Sequence, residues 1–389
     1  MPPSYGAALR SAFSLDPDFL TVNHGSYGAV PVVVQQAQES WRRRIEAQPT
    51  RFMMNEAPAA LRQAAGSLAG FLGADSADLA FVENATAACN AVLASLPLAA
   101  GDEILALDQG YGAVLKAIRH WAGRAGARLV TMTLPFPHTD EEALEAALAA
   151  GLSPRTKLVV LDHITSPSAV VLPVARLAAL CRSRGVRVLI DGAHAPGHLE
   201  LDIPAVGADY YTGNCHKWLC APRGSAFLWA APHAQPGLHP TVISHGYGEG
   251  FRAEFDWIGT RDLTAWLSVP AAIAFHQDLG GPALRRRNAE LAAEAAHRLA
   301  ARLGTQTAQG NAAPCAMAVV RLPVAGLVDE KRALHIRRTI SAGGTDLPVS
   351  AIAGQAWARV SAAAYNDLND FDRLADLVCE VLATCSVST

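Results

Sequence analysis

What most limits how this chain can fold is a stretch from about residue 79 to 230, where short apolar runs alternate with helical patterns. LAFV (79–82), EILAL (103–107), RLVTMTL (128–134), KLVVLDHI (157–164) and VRVLID (186–191) read as strands, followed by ADYYTGN and SAFLWAA. Several of these runs are continuously apolar, which means that both faces are covered. Between them, ATAACNAVLASL opens a helix at Asn84 or Thr86, and a second helix runs from Tyr111 to about Arg124. DEEALEAALAA (140–150) places its acids in the first turn, where the helix dipole favours them. PVARLAALCRSRG (173–185) has Pro near its start and Gly at its end. Strands and helices in this order predict an α/β fold with a mostly parallel sheet. In such sheets ligands gather beyond the carboxyl ends of the strands.

After residue 265 the texture changes. One long Ala/Leu/Arg helix is expected over about 270–303, then a strand at AMAVVRLP (316–323) and a helix near 328–341. The strand WARVSA (357–362) and a last helix over about 370–384 follow. The expected organisation is a large α/β domain at 1–265 and a smaller α+β domain at 266–389, with residues 1–20 packing on the smaller one.

Composition removes several classes of function. A net charge of −3 over 389 residues carries no nucleic-acid footprint. The Arg clusters 42–44 and 285–287 lie in helical surroundings and read as solvated faces or subunit contacts. Asp, Glu or Arg interrupts every apolar stretch before membrane-spanning length, and MPPSYGAALRSAF has no signal-peptide pattern. Seven irregularly spaced cysteines fit reduced thiols, so a cytoplasmic location is expected. Cys215-His216 with Cys220 lacks the second cluster that a zinc site needs, and no metal is expected. Neither G-x-G-x-x-G nor G-x-x-x-x-G-K-[ST] occurs, which counts against a nucleotide-binding α/β module, the reading from a different class.

Lysine is scarce: only Lys116, Lys157, Lys217 and Lys331 are present. If the chain held pyridoxal 5′-phosphate (PLP), its Schiff-base lysine would be one of these four. Lys157 precedes its strand, Lys331 lies on a charged helix of the second domain, and Lys116 could be either surface or site. Lys217 follows a strand and a Gly-Asn-Cys-His turn, at the end of the sheet where a site belongs. Asp191 ends another strand. It could cap a loop, or face a cation such as the pyridinium nitrogen of PLP. Asn84-Ala85-Thr86 opens a helix whose free N–H groups could bind phosphate or simply be capped.

FLTVNHGSYG (19–28), NATAACN (84–90), DQGYGAV (108–114), VLIDGAHAPGH (188–198), GNCHKWL (213–219), GTRD (259–262) and RVS (359–361) together resemble the class V aminotransferase-type enzymes, in the branch typified by isopenicillin N epimerase. The resemblance spans nearly the whole chain and implies a fold-type I PLP enzyme acting on a small-molecule amino acid. It implies that Lys217 bears the cofactor and moves protons, that Asp191 pairs the ring nitrogen, and that His194 approaches the ring hydroxyl. It implies further that Tyr111 stacks on the ring, and that Ala85, Thr86, Asn214 and His216 hold the phosphate. Thr260 would come from the partner subunit of a homodimer with shared active sites. Arg359 would clamp the substrate α-carboxylate. His24, Tyr27 and Arg51, in segments near the expected entrance, are candidate substrate contacts, although His24 and His163 read more readily as satisfied structural histidines than as catalytic ones. Residues 339–358 contain no cysteine, against desulfuration through a persulfide. The expected reaction is α-epimerisation or racemisation, with C–S β-elimination and transamination as alternatives.

Overall fold

The computed structural model describes residues 5–308 and 313–385. Seven strands, β1 (Leu79–Val82), β2 (Glu103–Leu107), β3 (Arg128–Met132), β4 (Thr156–Asp162), β5 (Arg187–Asp191), β6 (Tyr210–Asn214) and β7 (Ala226–Ala230), form one sheet. Their order across it is β1-β7-β6-β5-β4-β2-β3. Only β7 runs against its neighbours. Every residue of β1, β2, β6 and β7 is buried. Successive side chains point to opposite faces, so the helices between the strands must cover both. Burying each Leu, Ile or Val of this kind stabilises the fold by roughly 1.5–3 kcal/mol.

A second sheet, in the order β8-β10-β9, is antiparallel: β8 (Met317–Arg321), β9 (Val349–Ile352) and β10 (Gln355–Ser361). Helices Pro282–Leu303, Glu330–Ser341 and Leu368–Cys385 accompany it. The short β9 lies in a Gly/Pro-interrupted segment and is not visible as a strand in the sequence pattern.

The single long helix expected over 270–303 is two helices, Val269–Asp278 and Pro282–Leu303. Gly280 and Gly281 separate them with φ of +90° and +46°, a backbone that residues with a Cβ avoid, and Pro282 starts the next helix. Val269, Ala272 and Ile273 belong to the large-domain core, whereas Leu291, Ala292 and Leu299 belong to the core around the small sheet. The division between the two cores therefore falls near residue 280 and not at 265. In the amino-terminal segment, Gly6 N–H donates to the Ala364 carbonyl, Leu20 N–H donates to the Gly344 carbonyl, and Phe13 packs on Ala363 and Tyr365.

Candidate active site

Segments that follow β2, β4 and β6 at their carboxyl ends line a cleft of about 470 Å³, closed on its other side by the small domain. Its wall includes Ser26, Tyr27, Tyr111, Ser166, Lys217, Arg337 and Arg359. The other three lysines lie elsewhere. Lys157 pairs with Asp102 at the opposite end of the sheet, and Lys116 and Lys331 are exposed on helices.

Lys217 is buried, and its amine lies 3.1 Å from His194 Nε2. Trp218 Nε1–H points at His194 Nδ1 from 3.4 Å. That donor assigns the ring proton to Nε2, which then donates to the lysine nitrogen, an arrangement that needs the amine neutral. Burial, with the nearby Arg359 charge, lowers the Lys217 pKa to about 8, and burial holds His194 well below its ordinary value. A buried amine that loses its proton near neutrality can attack a carbonyl carbon and afterwards carry protons.

Asp191, the last residue of β5, is buried, and its Oδ1 accepts the Ala193 N–H at 3.0 Å. Burial raises its pKa, while the Ala193 N–H and Lys217 oppose the rise. This carboxylate forms no ion pair among the described residues, so it can serve a cationic partner that enters the cleft. Tyr111 caps helix Gly112–Arg124 and is 42% exposed on the cleft wall, free to meet a flat ring.

Helix Ala85–Ser95 opens at the same end of the sheet. Asn84 Oδ1 caps the Ala87 N–H, and Asn214 Oδ1 accepts the Ala85 N–H at 2.9 Å. The Thr86 amide and hydroxyl find no partner among the described residues, leaving donors at a helix N-terminus suited to phosphate. His216 Nδ1 faces the Ser225 carbonyl at 3.1 Å and so carries the proton. Its Nε2 can donate to a phosphate only when the ring is charged, which a neighbouring dianion would favour against the burial that lowers its pKa to about 4.

Arg359, on β10, enters the cleft from the small domain. It is buried, forms no ion pair among the described residues, and leaves Nε without a partner. Neutral oxygens hold it: the Ser166 carbonyl at 2.6 Å, Ser166 Oγ at 3.2 Å, Asn23 Oδ1 at 3.2 Å and Ser26 Oγ at 3.2 Å. Asn23 is fixed in turn by Asp346, which Arg337 grips through two hydrogen bonds. A buried guanidinium without an anion is a site for one.

His24 does not face the cleft, contrary to the expectation of substrate contact. Its Nε2 meets the Lys217 carbonyl and its Nδ1 the Tyr365 hydroxyl, each at 3.0 Å. The ring is a buried strut between the Lys217 turn and the small domain, and burial lowers its pKa to about 4. Gly28, with φ of +68°, lets this segment pass over the same turn, since a Cβ there would come within 2.0 Å of the His216 carbonyl oxygen. Tyr27 does line the cleft and is 69% exposed. Arg51 pairs with Glu56 on the surface, and His163 is buried against the Tyr211 hydroxyl at 2.7 Å. Thr260 is exposed in a loop, next to Arg261, which pairs with Glu83 beside the helix that carries Thr86. The sequence reading passed over Asn23, Ser26, Ser166 and Asp162. No three His, Cys, Asp or Glu side chains gather as a metal cage among the described residues, and no helix there is long and apolar enough to cross a membrane.

A seven-stranded sheet in this order, with a buried lysine and a strand-end aspartate beneath a small antiparallel domain, defines a fold-type I PLP-dependent enzyme. The chain belongs to the class V aminotransferase family, whose model matches residues 23–374. It is 36% identical over 386 residues to isopenicillin N epimerase of Streptomyces clavuligerus, covering 94% of this chain and 96% of that one. A putative L-cysteine desulfhydrase 1 of Oryza sativa subsp. japonica is 35% identical over 400 residues, covering 93% and 83%. Among solved structures, a complex of the cystine C–S lyase C-DES with cysteine persulfide superposes with a TM-score of 0.78 at 23% identity, over 93% of this chain and 98% of that one, a likeness of fold.

Proposed function

We propose that this enzyme deprotonates the Cα of an amino acid and returns the proton, acting as an epimerase or racemase, and that it works as a homodimer with shared active sites. The observation that carries the amino-acid reading is Arg359, a buried cation without an anionic partner, on the wall of the cleft that also holds Lys217. The epimerase reading is supported by the 36% identity to an isopenicillin N epimerase over almost the full chain. C–S β-elimination is the second reading, supported by the 35% identity to a desulfhydrase. No cysteine lines the cleft among the described residues, which supports neither persulfide transfer nor a thiol base.

PLP, when bound, weakens the bonds at Cα by drawing electrons into its ring. Lys217 would attach it, Asp191 would hold a proton at the ring nitrogen, and His194 would hold Lys217 in its neutral form. Ala85, Thr86, Asn214 and His216, with Thr260 of the other subunit, would bind the phosphate, and Tyr111 would cover the ring. Arg359 and Tyr27 would contact the substrate. The Lys217 amine would take the α-proton, and Tyr27 and Tyr111 are hydroxyl-bearing groups on the same cleft wall.

A panel of L- and D-amino acids with chiral analysis and keto-acid detection tests the reaction. Inverted Cα configuration without keto acid is expected. Keto acid with sulfide or ammonia would replace epimerisation by elimination, and amino-group exchange would replace both.

Asp191→Asn should retain cofactor but lose turnover by roughly 10²–10³-fold, because a neutral amide cannot hold the ring nitrogen protonated. The loss belongs in kcat, and wild-type kcat in the loaded variant would remove Asp191 from this role.

The homodimer is supported by the exposed loop at Thr260 and by Val242, Ile243 and Tyr247, each at least half exposed in the single chain. Light scattering should give twice the chain mass for the active protein. A fully active monomer would refute the shared site.

A further inference from the structure

Two carboxylic acids stand side by side at the carboxyl ends of β4 and β5. Asp162 and Asp191 are register partners across this parallel pair, so they leave the sheet on the same side with backbones about 4.8 Å apart. Both are buried, at 5% and 3% exposed, and neither forms an ion pair among the described residues.

Few groups face Asp162. Asp191 does so from β5, and Lys217 from the turn after β6. From the loop after β2, the Tyr111 N–H donates to Oδ1 at 3.3 Å. Cys89, on helix Ala85–Ser95, is a thiol that burial keeps protonated. Asp108 is turned to the Leu134 N–H, and His163 to the Tyr211 hydroxyl. Lys217 is the basic group that faces both carboxylates, it forms an ion pair with neither among the described residues, and like charges this close resist ionising together.

We propose that Asp162 is a positioning residue that stays protonated through neutral pH, leaving Asp191 as the single anion of the pair. Asp191 holds the shorter backbone hydrogen bond, 3.0 Å against 3.3 Å for Asp162, and at Asp162 burial and the Asp191 charge each outweigh the support from its two backbone N–H groups. Burial and the Asp191 charge push Asp162 well above the carboxylate range. The neutral acid still accepts the Tyr111 N–H and so seats the aromatic residue of the cleft. It also spares Asp191 a competing negative charge beside the cation that Asp191 faces. The proposal rests on the PLP reading only for the identity of that cation.

Infrared spectroscopy of the full-length protein as purified tests this. The wild type should show a protonated-carboxyl stretch at pH 7 that Asp162→Asn removes, while Glu103→Gln leaves it unchanged. Glu103 is a fair control, since its hydrogen bonds to Ser153, Arg128 and Arg155 hold its pKa at about 2. Asn keeps an oxygen for the Tyr111 N–H. Asp162→Ser, which keeps a hydroxyl there, serves if the first variant folds poorly. A wild-type spectrum with no such band at pH 7, or a band unchanged in the Asp162 variant, overturns the proposal. Failure of the PLP reading would appear instead as no cofactor absorbance, with the infrared result unaffected.

Discussion

Lys217→Ala is expected to yield a folded protein that has lost the near-UV or visible absorbance of its bound cofactor and loses turnover by at least about 10²–10⁴-fold. The fold should survive because Lys217 forms no ion pair among the described residues, so its removal strands no buried carboxylate salt partner. Borohydride reduction followed by peptide mapping is the direct measurement: the wild type should be labelled at Lys217 and the variant nowhere. A label surviving in the variant would move the attachment point, with Lys116 next in line. The pH dependence has a definite sign. Burial lowers the Lys217 pKa from 10.5 to about 8, and only the neutral amine attacks. The rate at which PLP attaches to cofactor-free protein should rise about tenfold per pH unit below 8 and level off above it.

Much of this was legible in the residues because parallel strands covered on both faces leave an unmistakable apolar signature. KLVVLDHI and VRVLID read as successive strands, and the carboxyl-end rule favoured Lys217 among the four lysines while leaving Asp191 either a cap or the partner of a cation. That rule applies equally to Asp162, the last residue of β4. It was overlooked because the apolar reading ran on through His163 and Ile164. His24 failed for another reason: a motif gives a residue's address but not which way its ring points, and the ring is claimed by Tyr365, 341 residues away. Val269–Asp278 shares the Ala-rich texture of the next helix while packing on the opposite core, so the local pattern does not separate the two helices. Ser166 reaches Arg359 across 193 residues, a pairing that no local pattern encodes.

Arg359→Leu should leave PLP loading intact and lower kcat/KM for amino acids by about 2–5 kcal/mol, or roughly 30- to 5,000-fold. The size follows from its surroundings. Burial lowers its pKa to about 10, a measure of how poorly neutral oxygens replace water around the charge. Ser166, Asn23 and Ser26 orient the guanidinium without neutralising it. A substrate carboxylate would supply the missing countercharge, and the desolvated cleft would strengthen the attraction. Arg359→Lys should also impair turnover, because an ammonium group cannot reproduce the planar two-bond fork or reach both Ser166 and Asn23. Primary amines that lack the α-carboxylate separate a clamp from a structural prop: their slow reaction with the loaded enzyme should be nearly unchanged in both variants. If amines and amino acids lose rate equally, Arg359 holds the small domain in place and the carboxylate is bound elsewhere. If neither loses rate, the uncompensated charge has no part in recognition. With the clamp intact in the wild type, the substrate can be anchored at its carboxylate while its Cα–H is presented to Lys217, which is the geometry that deprotonation at Cα requires.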